Sequence, residues 1–118
     1  MVFTNVGIQE LIYWLNGDTA VAPTHMAVGS GDTAATEDDT ALETEEGRYA
    51  FDTQTAGTDT VEYNMIVPTT LLNGDTLEEA GVFNASSSGD MFVRFTYSDV
   101  VKTNLVEVQY EVTLKIIN

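Results

Sequence analysis

The sequence predicts an all-β fold, an antiparallel β-sandwich or jelly-roll-like domain with one short N-terminal helix. Three observations predict it. Apolar and polar residues alternate in several runs, turn formers separate those runs at short intervals, and helical spacing occurs only near the N-terminus. With 118 residues and a hydrophobic content of 43%, the chain suits a single domain over 1–118 with a real core.

The helix is expected over about 5–16. Ile8, Leu11, Ile12 and Leu15 recur at helical spacing, Thr4 or Asn5 can cap the start, and Asn16-Gly17-Asp18 supplies the stop. Tyr13 and Trp14 occupy the other face. A helix apolar nearly all round wants cover on two sides, from its own sheet and from a neighbouring subunit.

Strands are expected from about 24 to 117. Residues 24–28 form the first, ended by Gly29-Ser30-Gly31-Asp32. The acidic stretch 32–47 reads as a long surface loop, poor in apolar residues except Leu42. A second strand is expected over 48–51, then a turn over 55–58. In 61–67, Val61, Tyr63, Met65 and Val67 share one face before Pro68 ends the run. Asn73-Gly74-Asp75 signals a turn, and 77–83 reads as a strand with a bulge at Gly81. Met91, Val93, Phe95 and Tyr97 alternate next. The last run is the clearest: Val106, Val108, Tyr110, Val112, Leu114 and Ile116 face one way, with polar residues between them. There is no internal repeat and no linker.

Charge is the strongest compositional signal. Nineteen Asp and Glu stand against Arg48, Arg94, Lys102 and Lys115, a formal net charge of −15. Such a density strains a compact fold by self-repulsion in dilute salt and is relieved at molar salt, where the Debye length is about 3 Å. A halophilic source is therefore expected, and nucleic-acid binding is disfavoured because phosphate contacts need clustered Lys and Arg. No run of about 18 apolar residues exists to span a membrane. No Lys or Arg precedes an apolar N-terminal block, which argues against a signal peptide. The absence of cysteine excludes disulfides, thiol chemistry and thiolate metal sites.

Catalytic constellations are sparse. A triad would need Ser30, Ser86 or Ser98 to converge on His25, the one histidine, together with an Asp. The pairs Glu78-Glu79, Asp38-Asp39 and Glu45-Glu46 belong to a solvated acidic surface, since a catalytic pair must face across a cleft. Asp32, Glu37, Asp38 and Asp39 share a loop but lack EF-hand spacing, so loosely bound cations are expected there instead of a defined site. Gly29-Ser30-Gly31 lacks the further Gly and the Lys of a phosphate cradle and reads as a tight turn. No catalytic, cofactor-binding or metal-ligating residues are assigned, and the chain is expected not to be an enzyme.

Three ordered segments carry a resemblance. The first is His25-Met26-Ala27-Val28-Gly29-Ser30-Gly31-Asp32-Thr33, followed by Asp39-Thr40-Ala41-Leu42 and Glu45-Glu46-Gly47-Arg48. The second is Asn73-Gly74-Asp75-Thr76-Leu77-Glu78-Glu79-Ala80-Gly81-Val82-Phe83-Asn84. The third is Gly89-Asp90-Met91-Phe92-Val93-Arg94-Phe95, with Lys102-Thr103 leading into the last strand. Together, over roughly residues 24–115, the set resembles virion proteins of tailed viruses, including the N-terminal domains of tail-collar and tail-fibre proteins. Where the familiar fibre motif often has Arg-Glu, this chain has Glu78-Glu79-Ala80.

The resemblance implies a structural motif of Gly29, Gly31, Arg48, Glu79, Gly81 and Phe83, in which Arg48 neutralises an acid such as Glu45 or Glu79. With the acidic balance, it implies a tailed virus of a halophilic archaeon. The expected function is a non-enzymatic virion structural protein on the tail or capsid surface. It would be a tail, baseplate or fibre-attachment adaptor, or an exposed capsid decoration or turret protein. Its partners would be itself, as a homo-oligomer, and neighbouring virion proteins. The candidate interaction surface is Ile8, Tyr13, Trp14 and Leu42. The alternative is a secreted or surface adhesive β-module, cation-dependent or carbohydrate-binding.

Overall fold

The alternating runs become strands of two antiparallel sheets in the computed structural model, which describes residues 1–118. In chain order the elements are β1 (Val2–Phe3), α1 (Asn5–Leu15), β2 (His25–Gly29), β3 (Glu45–Ala50), β4 (Thr53–Ala56), β5 (Thr60–Val67), β6 (Thr76–Phe83), β7 (Met91–Val101) and β8 (Val108–Lys115). One sheet has five strands in the order β1-β7-β6-β2-β3, and the other three, β4-β5-β8. The result is the expected all-β sandwich with one N-terminal helix.

The period-two faces meet between the sheets. Met26, Val28, Ala80, Val82 and Val93 of the larger sheet pack with Tyr63, Met65, Val67, Tyr110 and Val112 of the smaller. Each large side chain fully buried there contributes about 1.5–3 kcal/mol. Phe92 joins this core too: the register jumps from Val82↔Val93 to Phe83↔Met91, which leaves Phe92 unpaired opposite β6.

A second cluster, Ala27, Leu42, Phe83 and Met91, lies on the opposite face of the larger sheet. Strand alternation requires this, because Ala27 stands between Met26 and Val28. The segment 30–44 covers that face. It is therefore more than the surface loop the composition suggested.

Other boundaries also shift. β3 begins at Glu45, three residues before the expected start, because its backbone pairs along β2 from Gly29↔Glu45 to His25↔Ala50. β1 and β4 are strands that hydrophobic periodicity could not flag: β1 has two residues, and β4 is Thr-Gln-Thr-Ala, exposed throughout. Each exists by pairing, β1 with β7 and β4 with β5. The turn expected over 55–58 comes slightly later, closed by Gly57 N–H donating to Thr60 C=O at 2.8 Å. β6 carries irregularities at Leu77/Glu79 and Val82/Phe83 but none at Gly81. Gly81 serves packing instead, since a Cβ there would meet Met91 Sδ at 2.9 Å and Leu42 Cδ2 at 3.1 Å.

Candidate interaction surface

α1 is built as its sequence directs. Thr4 is the N-cap, its hydroxyl accepting from Gly7 N–H at 3.0 Å, and Asn16 with Gly17 (φ +81°) ends the helix. Docking is through backbone. A Cβ on Gly7 would meet Phe92 Cα at 2.7 Å, so only glycine allows α1 to lie this close to β7. Thr4 N–H donates to Phe92 C=O at 2.9 Å, and Asn5 N–H to Glu37 C=O at 2.8 Å. The helix start is thus fixed to both β7 and the segment 30–44.

That docking turns the apolar stripe outward. Gly7 is the only buried residue of α1, while Ile8, Leu11, Ile12 and Leu15 are all exposed, Leu15 at 68%. Tyr13 and Trp14 are exposed as well, Trp14 at 67%, and Val21 joins them from the connection to β2. The expected cover from the chain's own sheet is therefore absent from most of the stripe. Beside it runs an apolar trough. One cavity of about 370 Å³ is lined by Leu11, Trp14, Val21, Tyr63 and Phe92 among others. A second of about 250 Å³ shares Leu11, Tyr63 and Phe92 and continues to Phe3, Val61, Leu114 and Ile116. Contiguous apolar surface of this kind is where proteins take up partners, ligands or membranes.

Leu42 does not belong to this surface. It is 8% exposed and packs with Ala27, Phe83 and Met91 under its own loop, so its assignment as an interaction residue is corrected. Of the four expected, Ile8, Tyr13 and Trp14 are exposed on α1: Ile8 lies in the stripe, Trp14 lines the trough with Leu11, and Tyr13 faces the polar side beside Asn5, Gln9 and Glu10. Leu11, Ile12 and Leu15, recognised as the helix's apolar spacing, belong with Ile8 in the stripe.

Three residues of the sequence motif, Gly29, Gly31 and Glu79, belong to a buried clasp completed by Arg94. Glu79 is fully buried on β6. One carboxylate oxygen accepts from Gly31 N–H and Thr44 N–H, each at 2.8 Å, and the other from Glu43 N–H at 2.9 Å and Arg94 Nε at 3.1 Å. Arg94, 2% exposed, also donates to Asp39 Oδ2 at 3.0 Å and Thr33 C=O at 2.9 Å. Sheet and loop are thus joined by five charge-assisted bonds to two buried side chains, and the loop in turn holds the start of α1. Gly29 and Gly31 make room: a Cβ on either would lie within 2.7 Å of Glu79 Oε2.

Arg48 neutralises Glu45, at 2.7 Å, whereas Glu79 is served by Arg94. Its guanidinium also donates to Ala85 C=O and Ser88 C=O and lies 3.7 Å over the Phe83 ring. Phe83 therefore faces this second layer, opposite to Val82, which points into the sandwich core. The signal for Arg94 was available in the sequence: an arginine inside the apolar run Met91-Phe92-Val93-Arg94-Phe95 needs a buried partner.

Burial alone would raise the Glu79 carboxyl pKa, but the backbone N–H groups and Arg94 outweigh it and hold the group below its ordinary 4.5. Asp39 is likewise raised by burial and lowered further by Thr36 and Arg94, to a net position below 3.8. A carboxyl depressed in the folded state contributes stability above its unfolded pKa and loses it as pH falls through the folded one. The clasp is therefore expected to be intact at pH 5 and above and to weaken progressively below about pH 4.5. A carboxyl-carbon NMR titration of Glu79 checks this: the expected midpoint lies below 4.5, and one at or above it contradicts the clasp.

Elsewhere, His25 Nδ1 hydrogen-bonds the neighbouring Thr24 hydroxyl at 2.7 Å, and the Ser30 hydroxyl donates to Glu46 at 2.9 Å. No three His, Asp or Glu side chains gather in a metal-ligating arrangement. No helix is long and apolar enough to cross a membrane. No protein-family model, curated protein or solved structure matches the chain.

Proposed function

We propose that this chain is a non-enzymatic structural protein of a tailed-virus particle, which assembles through the outward stripe of α1. The observation that carries the assembly reading is the helix itself. A folded β-sandwich presents Ile8, Leu11, Ile12, Trp14 and Leu15 to solvent along one element, next to an apolar trough. A stripe this long and apolar is stabilised when another protein surface covers it. The placement in a virion, as a tail or baseplate adaptor or a capsid decoration, rests on the ordered motifs. Three residues of those motifs serve the presentation of α1: Gly29, Gly31 and Glu79 lock the loop that holds its start.

Trp14 is the expected anchor, since large aromatics dominate such contacts. Trp14→Ala is expected to weaken self-association or docking to a neighbouring virion protein about tenfold or more, with the circular dichroism of the sheets unchanged. Sedimentation equilibrium and incorporation into particles measure this. An unaltered oligomer together with normal incorporation contradicts the proposal.

A further inference from the structure

The four sheet edges are not alike. β1 has two residues and leaves the outer side of β7 unpaired from Phe95 onward, where the β6–β7 register shifts; β4 has four residues, β3 has a register shift where it leaves β2, and β8 is the long edge without one. β8 pairs with β5 over eight consecutive positions without a shift. Short strands, bulges, prolines and charged side chains are the usual means of keeping an edge from accepting another strand; β8 is long, has no bulge or proline, and carries Glu111 and Lys115 as its charges.

The polarity of this edge follows from one bond. Ile116 N–H donates to Asp59 C=O at 2.9 Å, in register with the β5 pairing. Antiparallel alternation then turns the backbone groups of Val108, Tyr110, Val112 and Leu114 toward β5 and those of Gln109, Glu111, Thr113 and Lys115 to the open side. Nothing in the chain pairs with these four N–H groups.

Space lies ready beside them. β8 lies across the sandwich from β7, the Tyr97 and Tyr110 rings 5.7 Å apart and their hydroxyls hydrogen-bonded to each other. Two cavities, about 340 and 220 Å³, flank the edge. The first lies between β8 and Phe95, Tyr97 and Val100 of β7, the second between β8 and Phe3 and Val93. An added strand would pair with the open groups and fill both cavities with its inward side chains.

We propose that the β8 edge accepts an extended segment of a partner protein, apolar at alternate positions and carrying a basic side chain opposite Glu111. The basic side chain follows from cross-strand pairing with Glu111: the other charge on this exposed face, Lys115, already stands 3.7 Å from Asp59, and the chain's net charge is −15. A second copy fits less well. It brings the same net charge of −15 to the edge. This surface is separate from the α1 stripe and goes beyond the reading built on it.

The test uses a ten-residue probe peptide alternating valine with lysine and threonine, added to ¹⁵N-labelled protein in molar salt. The expected result is amide exchange slowed about tenfold or more at Gln109, Glu111, Thr113 and Lys115, with the same effect on the Trp14→Ala protein. Thr113→Pro, which removes one outward N–H at an edge position that tolerates proline, is expected to abolish the effect. The same peptide N-methylated at alternate residues is expected to produce none, a control that leaves the protein unchanged. No slowing at millimolar peptide, or slowing at β3 or β4 instead, overturns the proposal. So does concentration-dependent protection of the same four amides without peptide, which would make a second copy the occupant.

Discussion

Arg94→Ala is expected to cost about 3–5 kcal/mol, a large share of the roughly 5–15 kcal/mol that holds a domain folded. The substitution does more than remove bonds. It leaves the fully buried Glu79 carboxylate without its countercharge and takes the ion pair from Asp39 and the donor from Thr33. A buried charge deprived of its partner carries its full desolvation penalty. Arg94→Lys is expected to fall between the two proteins: it keeps the charge but cannot reach Glu79, Asp39 and Thr33 together with one planar fork. Urea unfolding in molar salt measures the series. An Arg94→Ala protein within about 1 kcal/mol of the parent would show that the clasp does not hold the loop.

The second large effect is expected from salt. The surface is more one-sided than the composition implies, because the few cations are withdrawn from it. Arg94 and Lys102 are buried, and Arg48 is folded over Phe83. Lys102 spends its ammonium on Asn73 Oδ1 and Thr103 C=O, each at 2.9 Å. Only Lys115 stands in solvent, 3.7 Å from Asp59. Fifteen net negative charges over 6643 Å² leave about one per 440 Å², with almost no surface cation to offset them. Lowering salt from molar to about 0.1 M lengthens the screening distance from about 3 to 10 Å and restores the repulsion. The proposal of a halophilic source therefore carries an expected loss of sheet signal in circular dichroism over that range. An unchanged spectrum and unchanged melting temperature across it would contradict that source.

The fold class was legible because burial on one face of a strand writes itself into every second residue. Val61 to Val67 and Val108 to Leu114 kept the faces their alternation assigned. The helix and both its caps were legible for the same kind of local reason. What the pattern could not carry was partnership across the chain. β4 is a strand only because β5 lies beside it, and Leu42 is buried only because residues 30–44 fold onto the far face of the larger sheet. The clasp was half legible: Gly29, Gly31 and Glu79 stood out as a motif, but the arginine that completes it lies fifteen positions beyond Glu79. For the surface, helical spacing identified the stripe, and only the docking of Gly7 on β7 decides that it faces outward.

The central claim, assembly into a virus particle, is tested most directly by immunogold electron microscopy of purified particles with antibody raised against this chain. The expected result is regular labelling. Label over the head would mark a decoration or turret protein, and label at the tail or its tip an attachment adaptor. Repeated absence of label, with the protein also missing from mass spectra of digested particles, would contradict the account.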